Sequence, residues 1–519
     1  MVFSSLSFLI LFLPSVIVLY YVCPKKYRSL RNAWLFLASL IFYGCGEPRF
    51  FPVFLCGILW NYLFGLLIGK CRQNAGSSSG GGVCQMDPKS PDPHPDSSPG
   101  GGAGSISQSR CGKIFLILCL AGDLGLLALF KYANFFFANI RLLTGAAFSF
   151  PEILLPIGIS FFTFQEISYI ADVYRGSPAQ KNPVFLGLYI AFFPQLIAGP
   201  ILRYNDFAPQ LLNRNESVAC FTDGFYRFAA GLCKKVLIAN QLGQMVDYLL
   251  DSGGLDTRCA PLLLLAVLGF GLQLYLDFSG YSDMAIGLGM MFGFRIPENF
   301  RRPYTACSAA DFWRKWHISL SGWFRDYVYI PLGGSRKGKG KTIRNLMIVW
   351  FLTGLWHGAC WPCVLWGLLW GIWLIFEKYL ICLPNRSRPF RTVYRILTVI
   401  AAMALFSCLR LTDLSSLSSV WRGIFSPARW GAAAGQLPAL KLWLHDMWIY
   451  LAAALIVSLA PVRQAEKPQT PVSADSRISP ASPLNLRQLA SSVLLLLGML
   501  LSISFIAGSA YNPFLYFQF

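Results

Sequence analysis

Long apolar stretches constrain this chain more than any other feature of its sequence. A helix needs about 20 mainly apolar residues to cross the hydrocarbon core of a bilayer. Stretches that meet or nearly meet this length lie at 3–22, 33–45, 51–69, 114–139, 153–172, 184–200, 261–278, 345–359, 364–380, 394–408, 443–461 and 490–508. Several are short or interrupted, so the pattern predicts about ten or eleven spans. Short alternating strands are absent, which favours helices over a barrel.

Composition argues against a water-soluble protein. Charged residues make up 13% of the chain, against about 25% in globular domains. So little polar material cannot cover several soluble domains, so lipid must cover the apolar surface. The predicted fold class is therefore all-α, a polytopic helical membrane protein. The net charge of +20 follows from basic cytoplasmic loops, and no nucleic-acid partner is predicted.

Basic clusters predict the orientation of the chain. Lys25, Lys26, Arg28 and Arg31 directly follow the first apolar stretch, and such clusters stay in the cytoplasm. The first stretch has neither a basic region before it nor a small-residue cleavage site after it, so we expect it to be retained. The N-terminus is accordingly predicted to lie outside.

Two polar segments divide the chain. The first is rich in Gly, Ser and Pro and is predicted to be a disordered cytoplasmic linker. The second is a polar loop before the last apolar stretch. The predicted units are N-terminal transmembrane helices at 1–73, the linker at 74–112, a catalytic core at 113–380, and C-terminal transmembrane helices at 381–519 with the polar loop at 463–487.

The region between about 270 and 345 differs from a simple helix bundle, because polar and aromatic residues break its apolar runs. Residues 311–327 alternate Trp and Phe with charged residues, a pattern typical of short helices at the membrane interface. Candidates for lining a reaction chamber are Asp277, Ser279, Tyr281, Asp283, Trp316, Ser319, Arg325 and Asp326. A structural role is the alternative for each of them.

A basic loop follows this region, with Arg336, Lys337, Lys339 and Lys341. Such a loop could attract the phosphates of an acyl donor or an acidic carrier protein. The preference for positive charge on the cytoplasmic side explains the loop without such a role, and this is the favoured interpretation.

His357 is the strongest single candidate for chemistry. It lies in an apolar run between Gly354 and Gly358, and a histidine within a bilayer segment is costly and by default a functional hypothesis. Burial disfavours a charged imidazolium, so the ring would be neutral and could accept a proton from an alcohol. The glycines would allow a substrate or another backbone to approach closely. A histidine that only joins two helices by hydrogen bonds is the alternative.

The other histidines have weaker cases. His317 follows Arg314 and Lys315, which suit an interfacial helix, so it is a second candidate. His94 falls in the polar linker, and the interfacial position of His445 explains it structurally.

Other catalytic templates fail. The chain has no serine elbow, P-loop, dinucleotide-binding turn or HExxH zinc motif. Direct transfer with a histidine base therefore fits better than a covalent serine route. Cys360 and Cys363 form a C-x-x-C after His357; a structural role is favoured, with a redox pair or a zinc site lacking a fourth ligand as alternatives. No metal is predicted.

Several long motifs carry a family resemblance. They are LPIGISFFTFQ at 155–165, FPQLIAGP at 193–200, DFSGYSDMA at 277–285, FWRKWHISLS at 312–321, WFRDYVYIPLGG at 323–334, LWHG at 355–358 and PFLYFQF at 513–519. With these motifs the chain resembles the membrane-bound O-acyltransferases, in particular the branch that O-acetylates bacterial polysaccharides such as alginate. The resemblance extends from the first span to the last residue, excepting the two polar segments.

The resemblance implies a function and roles for residues. His357 would be the catalytic histidine and His317 the second family histidine, in a helical fold with a central funnel and tunnel. A cytoplasmic thioester, acetyl-coenzyme A or an acyl carrier protein, would give its acyl group to an extracellular polysaccharide or an extracellular partner protein, without a bound cofactor. The expected location is a bacterial inner membrane. Cys360 and Cys363 depart from the family pattern, in which Ala-Trp-Asn is usual.

Two alternative functions remain open on the sequence. Transfer of D-alanine to teichoic acid belongs to a related branch, although VYIPLGG at 328–334 is the form associated with polysaccharide acetylation. The alternative from another class is a transporter or conduit for acyl groups, in which His357 relays protons.

Overall fold

The described part of the chain is helical throughout. The computed structural model describes residues 2–77, 110–145, 150–381, 383, 386–460, 486–509, 511–513 and 515, and no strand occurs among them. The all-α prediction is confirmed. Most of the predicted linker at 74–112 and of the polar loop at 463–487 lies outside the described residues.

The helices fall into three groups along the chain. The first group is α1 (Leu13–Val22), α2 (Arg28–Gly46), α3 (Phe51–Ser77), α4 (Arg110–Leu127) and α5 (Ala133–Thr144). The second is α6 (Ile159–Arg175), α7 (Pro183–Ala191), α8 (Phe193–Leu196), α9 (Tyr204–Leu212), α10 (Val218–Cys233), α11 (Asn240–Leu249), α12 (Ala260–Met291), α13 (Ala309–Lys315) and α14 (Ile318–Phe324). The third is α15 (Lys339–His357), α16 (Trp361–Phe376), α17 (Arg388–Leu405), α18 (Ser407–Arg410), α19 (Leu414–Phe425), α20 (Pro427–Gly431), α21 (Ala433–Leu459) and α22 (Leu486–Gly508).

Short π-helical segments extend several of these helices. They are Ser7–Phe12, Ala128–Tyr132, Lys234–Ala239, Arg325–Tyr329 and Glu377–Ile381, and 3-10 turns occur at Ser252–Gly254 and Pro303–Thr305. The segment Ala128–Tyr132 joins α4 to α5 in one continuous span. Such π-helical turns are frequent at functional sites.

Seven helical segments in the described residues are long and apolar enough to cross a membrane. They are Phe51–Asn74, Arg110–Thr144, Ala260–Met291, Trp361–Ile381, Arg388–Arg410, Ala433–Leu459 and Leu489–Gly508. The chain is therefore a multi-pass membrane protein, but the prediction of ten or eleven spans is not confirmed. The stretch 153–172 became the 17-residue α6, and 184–200 divides between α7 and α8 because the chain leaves the helix at Phe192.

Helix α12 forms the centre of the molecule. In its most apolar window 83% of the residues are buried, against 11% in α21 and 6% in α22. A helix that is apolar on all sides and buried belongs to the interior, whereas exposed apolar helices face lipid. Glycines let α10 cross α12 closely, since a Cβ on Gly231 would lie 2.5 Å from the carbonyl oxygen of Gly280.

Ion pairs tie distant segments to this centre. Lys235 pairs with Asp277 of α12 at 2.6 Å and also donates to the carbonyl oxygen of Pro513. The N–H of Leu515 donates to the other carboxylate oxygen of Asp277 at 3.2 Å. The C-terminal segment is thereby fixed against α12.

A second buried network joins the N-terminal helices to the segment before α10. Glu216 pairs with Arg31 and with Arg214 at 3.0 Å, and it accepts a hydrogen bond from Tyr20 at 2.6 Å. Lys25 donates to the carbonyl oxygen of Glu216 at 2.7 Å. Lys25 and Arg31, whose positive charge predicts the orientation of the chain, thus also stabilise the fold.

Candidate active site

His357 is the last residue of α15, at a close crossing between two helices. A Cβ on Gly354 would lie 2.5 Å from the carbonyl oxygen of Cys363 and 3.2 Å from the Cα of Gly367, both on α16. Gly354, three residues before His357, therefore allows the close approach of another backbone. This crossing fixes the end of α15, and with it the backbone of His357, against α16.

The ring of His357 is enclosed by two indoles. It meets Trp356 edge-on at a centroid distance of 4.9 Å and Trp366 at 4.7 Å. Its Nε2 is buried and has no hydrogen-bond partner among the described residues. Burial and the nearby Lys131 ammonium both disfavour positive charge on the ring, so the imidazole is neutral and presents a lone pair.

His317 is held in a different way. It lies between α13 and α14 with φ of 43°, in the left-handed region that a non-glycine residue rarely adopts. Its Nδ1 lies 3.0 Å from Oδ1 of Asn299, and the N–H of Ile318 donates to the carbonyl oxygen of Asn299 at 3.0 Å. An amide oxygen only accepts, so we assign the proton to Nδ1.

Burial lowers the pKa of His317 well below its usual range, and the neighbouring His357 acts in the same direction. His317 lies outside the seven candidate spans. Both histidine rings contact the ring of Trp356, at centroid distances of 5.8 Å for His317 and 4.9 Å for His357, so the two histidines lie in one region of the core.

Trp356 lies between the two histidines. Its ring centroid is 5.8 Å from that of His317, and it stacks on Phe164 at 5.6 Å. Phe164 in turn stacks on Trp323 at 3.8 Å. Trp356, the residue before His357, therefore packs against α6 through Phe164, which belongs to the motif at 155–165.

Lys131 is a site residue that the sequence analysis missed. It lies in the π-helical turn Ala128–Tyr132, is 7% exposed, and donates to the carbonyl oxygen of Trp356 and to Oγ of Ser160 at 3.2 Å. A lysine inside the apolar stretch 114–139 was a usable signal, since charges within bilayer segments are rare and mark functional positions.

Asp283 and Ser279 lie at a narrow cavity beside α12. The cavity is lined by Lys234, Tyr275, Ser279, Ser282, Asp283, Ile286, Glu298, Asn299 and Phe300. Asp283 is paired with Arg227 at 2.9 Å and with Lys234 at 2.6 Å. Asn299 connects this cavity to the site, because the same side chain contacts His317. Asn299 was not a sequence candidate.

Four other predicted residues have identifiable partners. Asp277 forms its ion pair with Lys235. Tyr281 stacks on Phe3 at 4.6 Å, and Trp316 stacks on Phe312 at 5.6 Å. Ser319 donates to Oδ1 of Asn299 at 2.8 Å. Of these four, Ser319 contacts the group that holds His317.

Arg325 and Asp326 form an ion pair with each other at 2.6 Å, and Arg203 pairs with Asp326 at 2.5 Å. Although burial acts to raise it, Arg325 and Arg203 hold the pKa of Asp326 below its usual range. This cluster connects the segment after α14 to the loop before α9.

The basic residues Arg336, Lys337, Lys339 and Lys341 are exposed. The last two lie in the first turn of α15, which runs Lys339–His357. At 1.5 Å per residue, the helix separates that turn from His357 by about 27 Å.

Cys360 and Cys363 open α16 as unpaired thiols. A Cβ on Gly358 would lie 2.7 Å from the sulfur of Cys363 and 3.7 Å from that of Cys360, so both sulfurs face the residue after His357. No group of three or more His, Cys, Asp or Glu side chains in the described residues is arranged to hold a metal ion.

Comparison with known proteins supplies independent findings. Residues 181–419 match the sequence profile of the membrane-bound O-acyltransferase family. The chain is 37% identical to the "Probable alginate O-acetylase AlgI" of Pseudomonas putida over 100% of both chains. It is 33% identical to the peptidoglycan O-acetyltransferase of Helicobacter pylori over 73% of this chain and 70% of that protein. It is 29% identical to the teichoic acid D-alanyltransferase of Bacillus subtilis over 48% of this chain and 65% of that protein.

Proposed function

Since this chain belongs to the membrane-bound O-acyltransferase family, we propose that it transfers an acyl group, acetyl in the first instance, from a thioester donor to a hydroxyl group of an exported polysaccharide. One structural observation carries the proposal at the level of residues. The Nε2 of His357 is buried without a hydrogen-bond partner in the described part of the chain, next to a second buried histidine. A neutral imidazole with an available lone pair can act as a general base.

The proposed reaction is a direct transfer. Nε2 of His357 takes the proton of the acceptor hydroxyl as the oxygen attacks the thioester carbonyl. The carbon–sulfur bond then breaks, and the donor thiolate leaves with the proton that His357 received. His317, with its proton on Nδ1 and its ring held by Asn299, contacts the same Trp356 ring as His357 and would orient the acceptor or the donor.

The donor side is proposed to be the basic loop. Arg336, Lys337, Lys339 and Lys341 are exposed and would attract the phosphates of acetyl-coenzyme A or an acidic acyl carrier protein. We propose that this loop is cytoplasmic, in a bacterial inner membrane, with the N-terminus outside. Because α15 separates the start of this loop's helix from His357 by about 27 Å, we propose that the thioester end of the donor reaches His357 along α15 and that the acceptor arrives from the other side.

The acceptor class follows from the extent of the similarity. The match to alginate O-acetylases covers the whole chain, whereas the match to a teichoic acid D-alanyltransferase covers 48% of it. We therefore favour an exported polysaccharide such as alginate, directly or through an extracellular partner protein that carries the acyl group. The proposed catalytic core at 113–380 contains every residue to which a step is assigned here.

The function is tested with purified protein in liposomes. Acetyl-coenzyme A and a D-alanyl carrier protein are offered separately as donors, with alginate oligosaccharides as acceptor. We expect free thiol and O-acetylated sugar from acetyl-coenzyme A only, without flux of solute across the membrane. Use of the D-alanyl donor alone would reassign the protein to the teichoic acid branch, and solute flux without thioester cleavage would indicate a transporter.

A further inference from the structure

Lys131 is a buried cation to which the mechanism above gives no role. It lies in the π-helical turn that joins α4 to α5 and is 7% exposed. Its described contacts are with Ser160 and Trp356, and no carboxylate pairs with it in the described part of the chain. Burial of an ammonium group without a counter-charge is costly, so its position needs an explanation other than stability.

The contact with Trp356 is made at the end of α15. The last carbonyl groups of a helix have no partner within the helix and are satisfied by side chains or other groups. Lys131 donates to the carbonyl oxygen of Trp356, and the adjacent Tyr132 donates through its hydroxyl to the carbonyl oxygen of Leu355 at 3.0 Å. Two consecutive side chains thus cap the two peptide groups that precede His357.

The π-helical geometry of Ala128–Tyr132 belongs to the same arrangement. Such a turn interrupts the regular helical spacing and alters the directions of successive side chains. Here Lys131 and Tyr132 both contact the last turn of α15. The ammonium also lies 5.8 Å from the centroid of the Trp356 ring, which adds a cation–π attraction to the hydrogen bond.

We propose that Lys131 and Tyr132 are positioning residues for acyl transfer: by capping the carbonyl groups of Trp356 and Leu355 they fix the end of α15 and hold the imidazole of His357 in the orientation that receives the proton. This inference rests on the proposed function. Nε2 of His357 has no hydrogen-bond partner in the described residues, so the position of the backbone and the packing of Trp356 and Trp366 set the direction of the ring.

The test separates positioning from binding. Purified Lys131→Met, Lys131→Arg and Tyr132→Phe are compared with the native protein in liposomes, with acetyl-coenzyme A and alginate oligosaccharides. A displacement of about 1 Å at a catalytic group can cost about 100-fold in rate. We expect kcat of Lys131→Met to fall about 100-fold, with KM changed less than about threefold. Lys131→Arg keeps a donor to the carbonyl oxygen, so its kcat should be at least about tenfold higher than that of Lys131→Met. Tyr132→Phe should lower kcat by about tenfold.

Lys113→Met is the matched control, because Lys113 is an exposed lysine of the same continuous span, Arg110–Thr144, and should keep native kcat and KM. A kcat of Lys131→Met within about threefold of native, or a loss expressed only in KM, would overturn the inference. If Lys131→Met does not insert into the membrane, Tyr132→Phe tests the inference instead. An unchanged kcat of Tyr132→Phe would then overturn the inference. An inactive native protein would instead refute the proposed function, and the inference with it.

Discussion

At the residue scale, the two histidines are held by different forces. His317 is oriented by a hydrogen bond from Nδ1 to Asn299 at 3.0 Å. His357 is confined by Trp356 and Trp366 on two sides, and its Nε2 has no hydrogen-bond partner in the described residues. The neutral ring of His357 between two indoles suits it for proton transfer, and the ring of His317, which Asn299 fixes, suits it for orienting a substrate.

His317→Ala should reduce acyl transfer by about 100-fold, at the lower end of what a positioned acid–base group contributes. Asn299→Ala, which frees the ring of His317, should give a smaller loss of about tenfold. Both are measured as thiol release from acetyl-coenzyme A by the purified protein. Asn213→Ala, at an exposed position, should remain native. Native activity of His317→Ala would show that His317 is structural only.

The sequence made His357 the first candidate, because a histidine in an apolar segment is costly and therefore informative. It made His317 the weaker candidate, because the neighbouring Arg314 and Lys315 suit an interfacial helix. The same rule applied to Lys131, which stands in an apolar stretch and was overlooked. Asn299 carried no comparable signal. Its role depends on a backbone contact with Ile318, which only the fold brings about.

At the element scale, α12 shows what a sequence pattern omits. The apolar stretch 261–278 appeared to be interrupted by polar residues, yet the helix continues from Ala260 to Met291. Asp283 is neutralised by Arg227 and Lys234 and Asp277 by Lys235, so the helix tolerates both carboxylates. These partners come from α10 and the segment after it, and sequence spacing alone does not reveal them. The predicted short helices at 311–327 do occur, as α13 and α14.

The crossing of α15 and α16 gives a prediction at this scale. In Gly354→Ala the added Cβ would lie 2.5 Å from the carbonyl oxygen of Cys363, so the helices must separate. We expect a loss of about 1–3 kcal/mol of stability from overpacking and a marked fall in activity, since His357 is three residues away. Thermal unfolding in detergent and thiol release measure the two effects.

Gly125→Ala is the control for this substitution. A Cβ at Gly125 meets no atom within 4 Å, and the change should be neutral or slightly stabilising. Equal behaviour of the two variants would mean that the close crossing does not constrain the site.

At the scale of the whole molecule, the sequence predicted the membrane class and the helical fold, whereas its prediction of ten or eleven spans is not confirmed. Seven segments qualify in the described residues, because apolarity alone does not separate a span from a short buried helix. Residues of α6 and α7 are apolar and largely buried within the protein. Their burial depends on tertiary packing, which hydropathy does not encode.

The ion pairs of Glu216 give a prediction for the stability of the contact between the N-terminal helices and the rest of the protein. In Glu216→Gln the buried Arg31 and Arg214 lose the carboxylate that both contact. Breaking a buried ion pair by removing one partner costs about 3–5 kcal/mol, so we expect a clearly lower thermal midpoint in detergent. Glu152→Gln, at an exposed position, should not change the midpoint. An unchanged midpoint for Glu216→Gln would show that the network does not stabilise the fold.

Under the proposed function, His357 performs the chemistry of a membrane-bound O-acyltransferase. The most direct test is the O-acetyl content of the exported polysaccharide in cells that carry His357→Ala as their only copy, with membrane insertion checked in parallel. His445→Ala is the matched control, since the His445 side chain is 84% exposed. We predict that His357→Ala inserts normally and abolishes O-acetylation while His445→Ala retains it; native O-acetylation by a well-expressed His357→Ala protein would contradict the account.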